Sequence, residues 1–117
     1  VNFERTSRGI DALVEDTDAS YSAYAHAFDM DDRNFFDHVN PSGETPSDRL
    51  QRWGVSASFV GENIAFGYPT PEDVVEGWMG SQGHRDNILN PAFTHTGVGA
   101  HTGGGGPWWV QVFFTPP

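Results

Sequence analysis

The chain predicts an α+β fold, an antiparallel sheet covered by helices. Three observations predict it. Apolar residues recur at helical spacing early in the chain, Thr70-Pro71 carries a full set of helix-start signals, and the C-terminal stretch reads as two strands joined by a glycine run. A sheet buries its apolar face against helices, so helices first, a helix between strands and a hairpin last imply stacked layers.

From Val1 to about Phe36 the pattern predicts helix, broken by the acidic turn Glu15-Asp16-Thr17-Asp18, where Thr17 or Asp18 caps the second helical segment. Tyr21, Tyr24, Ala25 and Phe28 then share one face, expected to pack inward, and His26 reads as structural. Asn40-Pro41-Ser42-Gly43 is a turn, and Ser47 to Gly54 a short helix closed by its glycine. Phe59 to Ala65 adds a strand. Thr70 as cap, Pro71 at the first helical position and Glu72-Asp73 in the first turn start the next helix. On it Val74, Val75, Trp78 and Met79 cluster, while Glu76 faces solvent or a groove rim. SQGHRDNILNP, from Ser81 to Pro91, reads as a helix ending in a turn, with His84 at that terminus. Thr96 to His101 and Pro107 to Phe114 form the hairpin, with Gly103 to Gly106 at its tip. No repeat or linker interrupts the chain, which predicts one domain over residues 1–117.

The charge balance narrows the partners. Sixteen acidic against six basic residues give a net charge of −10, and every basic residue is arginine. Such a surface repels phosphate backbones and anionic lipid heads, which argues against nucleic acid and membrane adsorption. High salt screens its self-repulsion, so the composition points to a salty medium, with an ordinary acidic secreted protein as the alternative. There is no cysteine, which excludes disulfides, thiol catalysis and a cysteine zinc site. No transmembrane segment or signal region is visible, and the start at Val1 rather than Met suggests a trimmed precursor or a domain cut from a longer chain. A monomer is expected.

Three histidines sit beside turns, at His38, His84 and His95, whereas His101 next to the glycine tip reads as solvated. Glu62, between a glycine and an apolar run, is a carboxylate expected to be buried, and a buried carboxylate needs a partner. One partner is a cation. His38, Glu62 and His84 are a sufficient zinc ligand type with an open position for water, although their wide separation lacks a compact metal motif. The alternative is that Glu62 accepts backbone hydrogen bonds and His84 caps a helix. Ser81 lies near His84, but no nucleophile elbow surrounds it.

The series FFDHVNPSGETPSDRL (35–50), GENIAFG (61–67), VVEGWMGSQGHRDNILNPAFTHTGVG (74–99) and WWVQVFF (108–114) resembles the bacterial and archaeal branch of the CAP superfamily. This superfamily comprises cysteine-rich secretory proteins, antigen 5 and pathogenesis-related 1 proteins, and its domain is also called SCP. The resemblance implies a three-layer α-β-α sandwich, secretion, and a cleft that in eukaryotic members is lined by two histidines and two glutamates able to bind zinc. His38 and Glu62 match the first histidine and the GEN glutamate. The place of the second glutamate is taken by Ser81, and that of the second histidine by Trp108, with Gln111 keeping the glutamine of the late strand. Ser81 and Gln111 are therefore expected as cleft neighbours. His84, from the GHR motif, is implied to enter the cleft from another element, with Arg85 and Asp86 as ion-pairing and capping residues.

The function expected is binding, through His38, Glu62 and His84, of a divalent cation such as zinc or of a small polar ligand. The alternatives are hydrolysis of a peptide or cell-envelope bond, by a metal-activated water or by Glu62 as general base, and a lipid-binding or envelope interaction module. Trp108, Trp109 and Phe66 would serve an apolar ligand but read mostly as sheet core.

Overall fold

The computed structural model describes residues 1–117. Its elements, in chain order, are α1 (Asn2–Thr6), β1 (Val14–Glu15), α2 (Thr17–Asp32), α3 (Pro46–Arg52), β2 (Phe59–Phe66), α4 (Pro71–Met79), α5 (Gln82–Leu89), β3 (His95–His101) and β4 (Trp108–Thr115). Strand β4 feeds two cores. Val110, Val112 and Phe114 point to one face, where they meet Ala19, Ala23, Ala27 and Met30 of α2 and Leu50 of α3. Trp109 and Phe113 point to the other, against Leu13, Val74 and Trp78 of α4, and Ile88 of α5. Alternate side chains of a strand go to opposite faces, so a strand buried on both faces lies in the middle of three layers. Full burial of a side chain such as Phe113 contributes about 1.5–3 kcal/mol.

The sheet order is β1-β3-β4-β2. The expected antiparallel hairpin β3–β4 and the β2–β4 pair are present, but the sheet is mixed, because β1 runs parallel to β3 with Val14 opposite His95. That short strand also breaks the helix expected through the first 36 residues. Gly9, at φ 74°, turns the chain after α1, and the Asn2 side chain pairs with both backbone groups of Leu13. Asp16, rather than Thr17 or Asp18, caps α2 by accepting from the Ala19 N–H at 2.8 Å.

The face of α2 is the opposite of that expected. Ala19, Ser22, Ala23, His26, Ala27 and Met30 are buried, while Tyr21, Tyr24 and Phe28 are exposed. The cause lies in β3, where Gly97 and Gly99 let the helix backbone approach so closely that a Cβ at either would overlap the main chain of Ala19 or Tyr24. Only small side chains fit between helix and sheet at that distance. The aromatics turn outward, Tyr21 onto Trp53 and both Tyr24 and Phe28 onto the ring of His101. His101 is not simply solvated, since its Nε2 lies 2.8 Å from Asp31 Oδ2.

Two helix starts obey their local signals. Thr45 and Asp48 form a reciprocal capping box on α3, and Thr70 accepts from the Asp73 N–H on α4. At SQGHRDN, however, a helix begins rather than ends. Gly80 closes α4, Ser81 is extended, and α5 runs from Gln82 until Asn90, which Pro91 holds in an extended conformation. Arg5, 1% exposed, ties the end of α5 to α1 by donating to the carbonyls of Ile88, Asn90 and Phe93. No helix is long and apolar enough to cross a membrane.

Candidate functional site

Strand β2 forms one edge of the sheet, and its outward carbonyls are covered by side chains instead of a further strand. Asn87 donates to the Glu62 carbonyl at 3.2 Å and Trp78 to the Ile64 carbonyl at 3.2 Å. An edge blunted in this way cannot template another chain, and its helical cover leaves space beside it. Along this edge opens a cleft of about 800 Å³. Phe66, Trp108 and Phe36 wall one part, with Phe66 and Trp108 ring centroids 4.5 Å apart, while Trp78 and Tyr68 line another. The polar groups that reach it are His38, His84, Asp37 and Ser81.

Glu62 is held from two sides. Its side chain is 3% exposed, His38 Nδ1 lies 2.8 Å from Oε1, and Arg49 Nη2 donates to Oε2 at 2.7 Å. Arg49, equally buried, also donates to the carbonyls of His38 at 2.7 Å and Glu44 at 3.1 Å. The guanidinium thus anchors both the carboxylate and the loop that carries its histidine. The same loop is fixed by buried His26, whose Nε2–H donates to the Asp37 carbonyl at 2.9 Å. With Nδ1–H donated to Glu62, His38 keeps Nε2 for a ligand, and its side chain is 48% exposed.

The two cleft imidazoles are driven apart in pKa. The hydrogen bond to Glu62 raises that of His38 above its usual value, with burial opposing. Burial lowers that of His84, and the charge of His38 adds to the effect. His84 stands in the first turn of α5 with its ring 6.5 Å from that of Trp78. Its carbonyl accepts from Asn63, and Asn63 accepts from Asn87, so the two amides stitch α5 to β2.

The residues named from sequence are therefore only partly brought together. His38 and Glu62 are in direct contact, His84 and Ser81 line the same cleft, and Gln111 lies elsewhere, buried and donating to Thr96 Oγ1. Its position on β4 turns it to the α4 side of the sheet with Trp109 and Phe113, which is why it is no cleft neighbour. His95 packs against Phe114. Arg85 forms no ion pair, and Asp86 accepts from Gln82 instead of capping. Trp109 is sheet core as expected, but Trp108 and Phe66 are cleft wall.

A zinc set does not fit this arrangement. Both Glu62 oxygens already have donors, and no group of three or more His, Asp or Glu side chains is placed to hold a metal ion. Arg49 is the cation partner that Glu62 requires. Sequence reasoning missed it, along with Asn63 and Asn87, because all three act on residues far away in the chain.

Comparison with known proteins agrees with this fold. YkwD of Bacillus subtilis is 48% identical over 112 residues, which are 96% of this chain and 43% of YkwD. An extracellular protein of Bacillus anthracis containing an SCP domain superposes with a TM-score of 0.91 at 36% identity, over 97% of this chain and 37% of that one. An outer surface protein of Borrelia burgdorferi shares the fold at 20% identity and a TM-score of 0.90, over 99% of this chain and 86% of that one. The chain thus spans less than half of either Bacillus protein. The family model of the cysteine-rich secretory proteins matches residues 1–113, and the chain belongs to this CAP family.

Proposed function

We propose that the cleft binds a small amphiphilic ligand, with an oxygen-bearing polar end at His38 and His84 and an apolar body against Phe66, Trp108 and Trp78. The observation that carries this reading is the combination of aromatic walls with an imidazole oriented by a buried carboxylate. Ligand pockets of this kind are mostly apolar with a few fixed polar groups. The description of the Bacillus anthracis relative as extracellular supports action outside the cell. Calorimetric titration with decanoate and with decanol tests it. Saturable heat that Trp108→Ala abolishes in a folded protein supports the reading; no saturable heat with either probe sinks it.

A second reading, hydrolysis of a peptide or cell-envelope bond, has its own observation. Glu62 holds His38 Nδ1 as the carboxylate of a catalytic triad holds its histidine, which leaves Nε2 to take a proton from water. Glu62 itself, buried against Arg49, is the orienting group and not the base. Turnover on a panel of peptides and glycans, lost in Glu62→Gln with the folded spectrum kept, would establish it. A wild-type protein inert across the panel removes it.

A further inference from the structure

We propose that Arg49, buried behind this cleft, supplies to Glu62 the positive charge a metal ion would bring, so that the His38, Glu62 and His84 site works without one. The surroundings of the carboxylate carry the argument. Glu62 is buried with Oε1 2.8 Å from His38 Nδ1 and Oε2 2.7 Å from Arg49 Nη2, so a divalent ion bound through it would have to sit beside a fixed positive charge. No group of three or more His, Asp or Glu side chains is placed to hold one.

Arg49 is also unable to step aside. Its side chain is 3% exposed, and its other donors hold the carbonyls of His38 and Glu44, two points on the loop leading into α3. The capping box of Thr45 and Asp48 fixes the start of that helix. A guanidinium does not lose its proton in a protein, so the positive charge beside Glu62 is permanent and repels any second cation. Without the carboxylate, His38 and His84 are two imidazoles, short of the three protein ligands typical of an open zinc site. Charge compensation for a buried carboxylate, the task a metal would perform, is already complete.

The test is calorimetric titration with zinc of chelator-treated wild type, Arg49→Gln and the double variant Arg49→Gln/His38→Ala, with circular dichroism to verify folding. Wild type should give no saturable heat. Arg49→Gln removes the permanent charge beside Glu62 and should turn the absence of saturable heat into saturable binding near one equivalent, and the double variant should lose the gain. One-equivalent binding by wild type that His38→Ala removes would overturn the proposal, as would a folded Arg49→Gln that binds no better than wild type. Should Arg49→Gln fail to fold, the wild-type titration still decides: binding at His38 refutes the proposal and no binding upholds it. Arg49→Lys, which keeps the charge, should stay as inert as wild type.

Discussion

His38 and Glu62, brought together from a loop and from strand β2, share a 2.8 Å hydrogen bond that joins a cleft-lining imidazole to a buried carboxylate. The carboxylate raises the imidazole pKa, so the protonated form persists to higher pH than in a free histidine. Glu62→Gln should therefore lower the His38 pKa, read from the pH dependence of its ring proton shifts by NMR. An unchanged value would show that the bond is not maintained in solution. Because the folded value is raised, the contribution to stability is complete below the unfolded value near 6.5 and fades as pH rises through the folded one. Half exposure of the ring keeps that contribution small.

The Arg49 and Glu62 pair lies at 3% exposure on both sides. Removing one partner strands the other charge in the interior, which typically costs about 3–5 kcal/mol. Arg49→Met should lose about that amount in a denaturant titration, a large share of the roughly 5–15 kcal/mol that holds a domain of this kind together. A loss below about 1 kcal/mol, as for surface pairs, would mean that water reaches the site.

Buried His26 predicts the opposite pH response. Its Nε2–H holds the Asp37 carbonyl, its Nδ1 is buried without a partner, and burial lowers its pKa, with the charge of Glu62 opposing. The folded state resists protonation, so the unfolded state binds more protons below the unfolded value. Stability is full above about pH 6.5 and falls as pH drops from there toward the lowered folded value. His84, also lowered, acts in the same sense, and His38 against it. In His26→Gln, whose side-chain amide can still donate to Asp37, unfolding free energy should decline less between neutral and mildly acidic pH. An identical slope in the variant would assign the acid sensitivity to other groups.

Legibility in the sequence tracked the range of the interactions. The start of α4 is written locally in Thr70-Pro71 and the hairpin in its glycine run, and both stand where expected. The need of Glu62 for a cation was readable from its apolar surroundings, but not that Arg49 meets it. An arginine beside Leu50 in a short helix gives no local sign of burial, because its partner lies on another element. The same limit explains α2. Its aromatic spacing is a valid helix signal, and only the approach to β3 decides which side faces in.

That approach gives the sharpest packing test. A Cβ on Gly97 or Gly99 would meet the main chain of α2, which cannot rotate away as a side chain can. Gly99→Ala must therefore lift the helix from the sheet and loosen Ala19, Ala23 and Ala27 together. Overpacking typically costs about 1–3 kcal/mol, and an obstruction by backbone belongs at the upper end, so a loss of about 3 kcal/mol or more is expected in a denaturant titration. Gly83→Ala is the control, since it lies in the first turn of α5 with nothing within 4 Å of the added carbon. It should gain up to about 1 kcal/mol from the restricted unfolded chain. If Gly99→Ala matched the control, the close seating of α2 on the glycines of β3 would be wrong, and with it the reason its aromatics face outward.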